Sequence, residues 1–216
     1  MSLAKLLQLA SPTLPVGAYS YSGGLEAAIE AGAVRDAASA ECWIGDVLEF
    51  SVARMEGPMV FSFLLAFAEK DFLKIKDKNE MFLASREAAE LRAETVQMGY
   101  SLNRLLKDLG LDEVPLEEPS FPAAFAHAAV QWKVAPDAAL QAYLWAWLEN
   151  QVMAAVKAVP LGQTDGQRML LRLGDRLEEF VGGAMQMKDE DLGNFAPGLA
   201  LLSSRHETQY SRLFRS

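Results

Sequence analysis

From Ala138 to Val159 the chain is rich in Leu, Trp, Ala and Val around nearly the whole circumference of a helix. A surface helix keeps one apolar stripe and one polar face, so a helix without that division belongs inside a fold. Glu149, Asn150 and Gln151 sit together near its middle and Lys157 follows. A charged group at bilayer centre costs about 2.5–3.5 kcal/mol, which argues against a membrane span. A buried core helix remains, and other helices must wrap it.

The rest of the chain supplies them. Runs of alternating β-branched and polar residues are almost absent, while Ala, Leu, Glu and Met dominate. Gly32 stands where a C-terminal cap belongs after Leu25–Ala31, and Asp36 is placed to cap a helix carrying Ile44, Leu48, Val52 and Met55. Gly57-Pro58 predicts a break and restart. A long amphipathic helix is expected from about Asn79 to Leu109, with a seam of Leu91, Thr95, Met98, Leu102, Leu105 and Leu109 and a stop at Gly110. Leu111 to Ser120, with two prolines and four acidic residues, reads as an exposed connector. Pro122 and Pro136 each open a helix, and another is expected over Asp165 to Met187, softly broken at Gly182-Gly183. The expected fold is all-α, a single-domain bundle of about eight to ten helices around a buried central helix. The expected division is residues 1–203 as the domain and 204–216 as a C-terminal tail.

Composition removes several functions. A net charge of −9 argues against nucleic-acid binding, which needs clustered cations facing phosphates. One cysteine, Cys42, excludes an internal disulfide and suits a reducing cytoplasm; beside Trp43 it reads as a small buried hydrophobe. His127 and His206 lack the spacing of a metal pair, and His127 reads as a hydrogen-bonded core or boundary residue. No Gly-x-Ser-x-Gly elbow and no phosphate-binding Gly-x4-Gly-Lys-Ser/Thr loop occur. We therefore expect no catalytic group, no metal ligand set and no cofactor.

Three segments carry more specification than packing requires. The first, Leu9 to Glu26, uses two prolines and three glycines to present Tyr19 and Tyr21 just before a helix. The second, Ala158-Val-Pro-Leu-Gly-Gln-Thr-Asp-Gly-Gln167, ends the buried helix in a tight corner. The third is the tail Arg205-His-Glu-Thr-Gln-Tyr-Ser-Arg-Leu-Phe-Arg-Ser216, which reverses the charge of its chain and closes on Leu213-Phe214 between Arg212 and Arg215. Arg, Tyr and Phe are the residues that anchor interfaces, so the tail reads as a segment for a second protein, against the plainer reading of a last turn docked on its own core.

In this order, on an acidic all-α chain, the three segments resemble the UreF family of urease accessory proteins. Weaker similarity runs from Ser85-Arg86-Glu87 through Gln97-Met98-Gly99 and lies again at Phe121–Phe125, and Ala18 stands where many members carry a second glycine. The resemblance implies a non-enzymatic cytoplasmic adaptor that dimerises, binds UreD (also called UreH), recruits the GTPase UreG and serves nickel delivery to apo-urease. The alternative it leaves is a GTPase-activating regulator of UreG. It implies partner contacts at Tyr19, Arg205, Tyr210, Arg212, Leu213 and Phe214. Lys157, Gln163 and Asp165 at the corner are the residues it suggests for a passage, an aqueous lining being one way to accommodate Lys157 in a buried helix.

Overall fold

The computed structural model describes residues 3–216, and among them every regular element is helical. The helices are α1 (Leu3–Ala10), α2 (Leu25–Glu30), α3 (Ala37–Val47), α4 (Gly57–Glu69), α5 (Phe72–Ala84), α6 (Ala89–Asp108), α7 (Phe121–Gln131), α8 (Pro136–Ala158), α9 (Gln163–Gly174), α10 (Leu177–Gln186) and α11 (Pro197–His206). As expected, α8 is the hub: Leu140, Leu144, Leu148, Val152 and Ala155 are buried, and α1, α2, α3, α4, α7, α9 and α10 all pack against it. A second layer joins α4, α5, α6 and α7, where Phe63, Phe82, Phe125 and Leu102 are fully enclosed.

Expected caps are in place. The Asp36 carboxylate accepts from Ser39 N at 2.8 Å, and the Ser39 hydroxyl oxygen accepts in turn from the Asp36 amide at 3.1 Å. Gly32 and Gly110 adopt φ of +73° and +72°, and the structure adds a cap the sequence reading did not name, Ser120 Oγ at the start of α7. Gly17 takes the left-handed turn at φ +80°, and Ala18 then enters a 3-10 turn, so Ala18 needs no glycine.

Three boundaries differ from expectation. The chain does not break at Gly57-Pro58. A π-helical segment, Leu48–Glu56, joins α3 to α4, and Gly57 N donates to Val52 O in its wider turn. Pro58 has no N–H for the Arg54 carbonyl; that carbonyl accepts from Gly193 N at 3.3 Å instead. The resulting continuous helix Ala37–Glu69 is long and apolar enough to cross a membrane, but 67% of its most apolar stretch is buried in the fold. The long helix expected from Asn79 divides at Ser85–Ala88, where Ser85 Oγ bonds back to Phe82 O and Arg86 turns inward. Along α6, Thr95, Met98, Leu102 and Leu106 are buried, while Leu109 lies past the end and is exposed. The helix expected over Asp165–Met187 divides at Asp175-Arg176, where Arg176 turns aside to pair with Glu49, and Gly182-Gly183 stay helical.

The connector 111–120 is clamped more firmly than its composition suggested. Val114 is buried, its amide donates to Asn103 Oδ1 at 2.7 Å, and Asn79 bonds both Glu118 O and Ser120 N. Cys42, expected inside, lies on the outer face of α3 with its thiol toward Asp46; Ile44 and Gly45 take the inward positions. His127 is a boundary residue, its Nε2 2.9 Å from Asp112 O.

Gly99 fixes how closely α6 meets the connector: a Cβ there would lie 2.0 Å from Pro119 O, a backbone atom with no freedom to rotate away. Substituting Gly99→Ala should therefore destabilise the chain by about 3 kcal/mol, the upper end of overpacking costs, read as a lowered urea midpoint.

Candidate functional site

The first block and the last meet. After the 3-10 turn at Ala18–Ser20 the chain reaches Gly24, at φ +82°, whose missing side chain admits α11: a Cβ there would stand 2.7 Å from Ser203 Oγ and 2.8 Å from Leu199 Cδ1. That approach brings His206, at the end of α11, between α2 and α6. His206 is fully buried, with Nδ1 2.6 Å from Glu90 Oε2 and Nε2 3.1 Å from Glu26 Oε2.

The same two carboxylates hold the segment that follows. Glu26 accepts the amides of Leu213 at 2.6 Å and Phe214 at 2.9 Å; Glu90 accepts Arg212 Nη1 at 2.5 Å. Arg212 also donates to the carbonyls of Gln209 at 2.9 Å and Glu207 at 2.8 Å, closing the turn it belongs to. Beyond it the backbone runs alongside the first block: Arg215 N donates to Ser20 O at 2.8 Å, and Ser22 N and Oγ donate to Ser216 O at 3.0 and 2.5 Å. The Ser216 hydroxyl donates to Glu94 Oε2 at 2.6 Å.

These bonds divide the tail into an inner and an outer set. Phe214 is buried at 4% exposure, with the Lys157 ammonium 4.9 Å from its ring centroid. Tyr210 is fully exposed and Leu213 51% exposed; the Arg205 and Arg212 side chains also lie at the surface. Tyr19 is 70% exposed nearby, whereas Tyr21, two residues on, is buried and donates to Gln97 Oε1 at 2.6 Å. Of the residues expected for partners, Tyr19, Arg205, Tyr210, Arg212 and Leu213 thus face outward and Phe214 faces the interior.

Phe214 helps to line a cavity of about 350 Å³ bordered by α1, the first block, α6 and α8. Its walls are mostly apolar, with one polar corner. There Glu56, turned inward at the end of the π segment, accepts Arg86 Nη1 at 2.8 Å and the Tyr143 hydroxyl at 2.6 Å. Arg86 lies over the Phe82 ring at 4.5 Å, and its Nε and Nη2 are buried without a partner among the described residues. Burial first, and the Glu56 charge second, raise the Tyr143 hydroxyl well above the ordinary phenol range. Glu94 borders the same cavity, and its pKa rises to about 7, chiefly by burial; the Ser216 hydrogen bond opposes that rise, and the Glu56 charge adds to it.

The corner residues do not converge on this chemistry as a set. Lys157 borders the cavity but is exposed, because the last turn of α8 emerges from the core; solvent and the Phe214 ring satisfy it, and no aqueous passage is needed for that. Gln163 is exposed at the start of α9, and Asp165 pairs with Arg168 at 3.1 Å on the same helix. The corner itself is tight: a Cβ on Gly166 would meet Val156 Cγ2 at 2.7 Å.

Sequence reasoning missed Glu26, Glu56, Glu90, Glu94 and Tyr143, and gave His206 no role. Arg86, Glu90, Glu94 and Gln97 lay inside the weaker family-like stretch Ser85–Gly99, and Glu26 closes the first block, so a partial signal existed for those five. No group of three or more His, Cys, Asp or Glu side chains suited to a metal occurs among the described residues.

Known proteins place this architecture. The UreF family model matches residues 34–174. The urease accessory protein UreF of Azoarcus sp. (strain BH72) is 59% identical, with 100% of this chain and 96% of the relative covered. Those of Dechloromonas aromatica (strain RCB) and Janthinobacterium sp. (strain Marseille) are 52% and 51% identical, each with 100% of this chain and 98% of the relative covered. The chain belongs to the UreF family of urease accessory proteins. Two of the three segments that carried the resemblance in the sequence, the first block and the tail, meet at Glu26, while Glu90 ties the tail to α6.

Glu94 makes the site sensitive to pH. A carboxyl whose pKa is raised on folding binds more protons folded than unfolded, so it favours the folded state in acid and loses that contribution as pH rises from about 4.5 to about 7. Glu94→Gln, which keeps an acceptor for Ser216, should flatten the pH dependence of stability over that window by up to about 3 kcal/mol, measured by urea denaturation at pH 4.5 and 8.

Proposed function

We propose that this chain is a non-enzymatic adaptor of urease maturation, joining a UreD/UreH-type protein and the GTPase UreG so that nickel reaches apo-urease. The observation that carries this reading is the division of the tail. Phe214 and Ser216 anchor it in the chain's own core, while Arg205 at the end of α11 and Tyr210, Arg212 and Leu213 in the segment after it are presented outward beside Tyr19. Tyr and Arg side chains held on an ordered scaffold are the usual centre of an interface, because little rotamer freedom is left to lose on binding.

Nothing in the site resembles a bond-making constellation. The polar corner pairs Glu56 with Arg86 and Tyr143, and Glu94 with Ser216, as hydrogen bonds that hold segments together, and the contribution in this reading is shape and contact. Assembly as a homodimer in the cytoplasm belongs to this reading. A role for Lys157, Gln163 and Asp165 in a nickel passage is its weakest part, since only Lys157 borders the cavity.

The test uses the full chain with Tyr210→Ala and Leu213→Ala together. Both side chains are exposed, so the melting temperature should stay within the range of ordinary surface substitutions, about 0.5 kcal/mol. Co-purification with the UreD/UreH-type protein and UreG, and activation of apo-urease, should fall at least tenfold. Assembly and activation at the level of the unsubstituted chain would refute the tail as the contact surface.

A further inference from the structure

The buried imidazole of His206 has carboxylate oxygens against both ring nitrogens. A neutral imidazole carries one N–H and one lone pair, so whichever tautomer formed, a lone pair would point at an oxygen. Only the imidazolium donates in both directions. The surrounding charges agree. From α2 comes Glu26, from α6 Glu90, and from the tail Arg212, which pairs with Glu90 at 2.5 Å. The Glu207 carboxylate turns away to accept Ala89 N at 2.8 Å, and Arg205 lies at the surface. Two carboxylates against one guanidinium leave one negative charge in a largely desolvated site, and a protonated His206 balances it. An uncompensated charge there would be costly.

The two carboxylates do more than pair with His206. Glu26 also binds the Leu213 and Phe214 amides and Glu90 also binds Arg212, so their positions determine where the tail lies. We propose that His206 is a positioning residue, a charged clasp. Its imidazolium draws Glu26 and Glu90 together and so seats segment 207–216 on α2 and α6, and loss of that one proton frees the segment. Docking of the segment and the charge on His206 are then one event. Release withdraws Phe214 from the wall of the cavity and scatters the outward set of side chains. The inference concerns the isolated chain, so its failure and the failure of the adaptor reading are separate outcomes.

The chain holds only two histidines, which makes the experiment direct. In chain labelled with 15N-histidine, with His127→Gln to assign the second signal, both His206 ring nitrogens should resonate as protonated at pH 7 while the Leu213 and Phe214 amides resist hydrogen exchange. A non-protonated ring nitrogen with those amides still protected would overturn the proposal, and this reading requires no substitution at position 206. A second measurement follows the protection factors of Leu213 and Phe214 from pH 6 to 9 in Glu94→Gln chain, which removes the raised carboxyl that Ser216 contacts. They should fall with rising pH while that of Leu144 in α8 holds. Introducing His206→Gln should abolish the pH dependence; its persistence would equally sink the idea.

Discussion

A helix apolar on nearly every side can exist in water only if other elements enclose it, and α8 imposes that requirement on the whole chain. Enclosure takes seven helices, and the placement of three of them rests on a local exception. The π segment carries one helix from Ala37 to Glu69 past Pro58, so α3 and α4 both lie against α8. The missing side chain at Gly166 lets α9 lie back along α8 directly after the corner. The polar residues that interrupt α8 are used too: Gln151 is buried near Gly23, and Asn150 Nδ2 donates to Tyr21 O at 3.2 Å, tying the first block to the hub.

Local chemistry was legible where the controlling groups are near in sequence. Asp36 as a cap and Gly32 and Gly110 as terminators all act within a few residues, so propensity and capping rules locate them. The misplaced boundaries share a different cause. Pro58 is tolerated because Gly193 supplies a donor from far along the chain, and the helix at Ser85 ends so that Arg86 can reach Glu56. Cys42 was misjudged because its apolar neighbour Trp43 is itself only half-buried, the inward face of α3 falling on Ala40 and Ile44.

The site was less legible for the same reason, carried further. The tail and the first block were both visible as over-specified segments, yet Glu26 and Leu213 are separated by 187 positions and Glu90 and Arg212 by 122. Nothing in an isolated glutamate on a helix distinguishes a solvated carboxylate from one that organises another segment. The choice between a tail for a partner and a tail docked on its own core also proves too coarse: backbone and Phe214 are held within, and Tyr210 and Leu213 are turned out.

That mixture bears on how firmly the segment is held. Ordering the backbone of residues 207–216 costs on the order of 10 kcal/mol, and burying one Phe returns only about 2–3 kcal/mol. The balance must come from polar contacts, and those made to charged groups, at about 1.5–3 kcal/mol each, are the ones with the strength to supply it. Glu26, Glu90 and Arg212 make most of them. A segment secured by apolar area would be insensitive to its ionic surroundings; one secured by charge is poised near balance, and a small change in charge within it, whether a proton or an approaching side chain, is enough to redirect it.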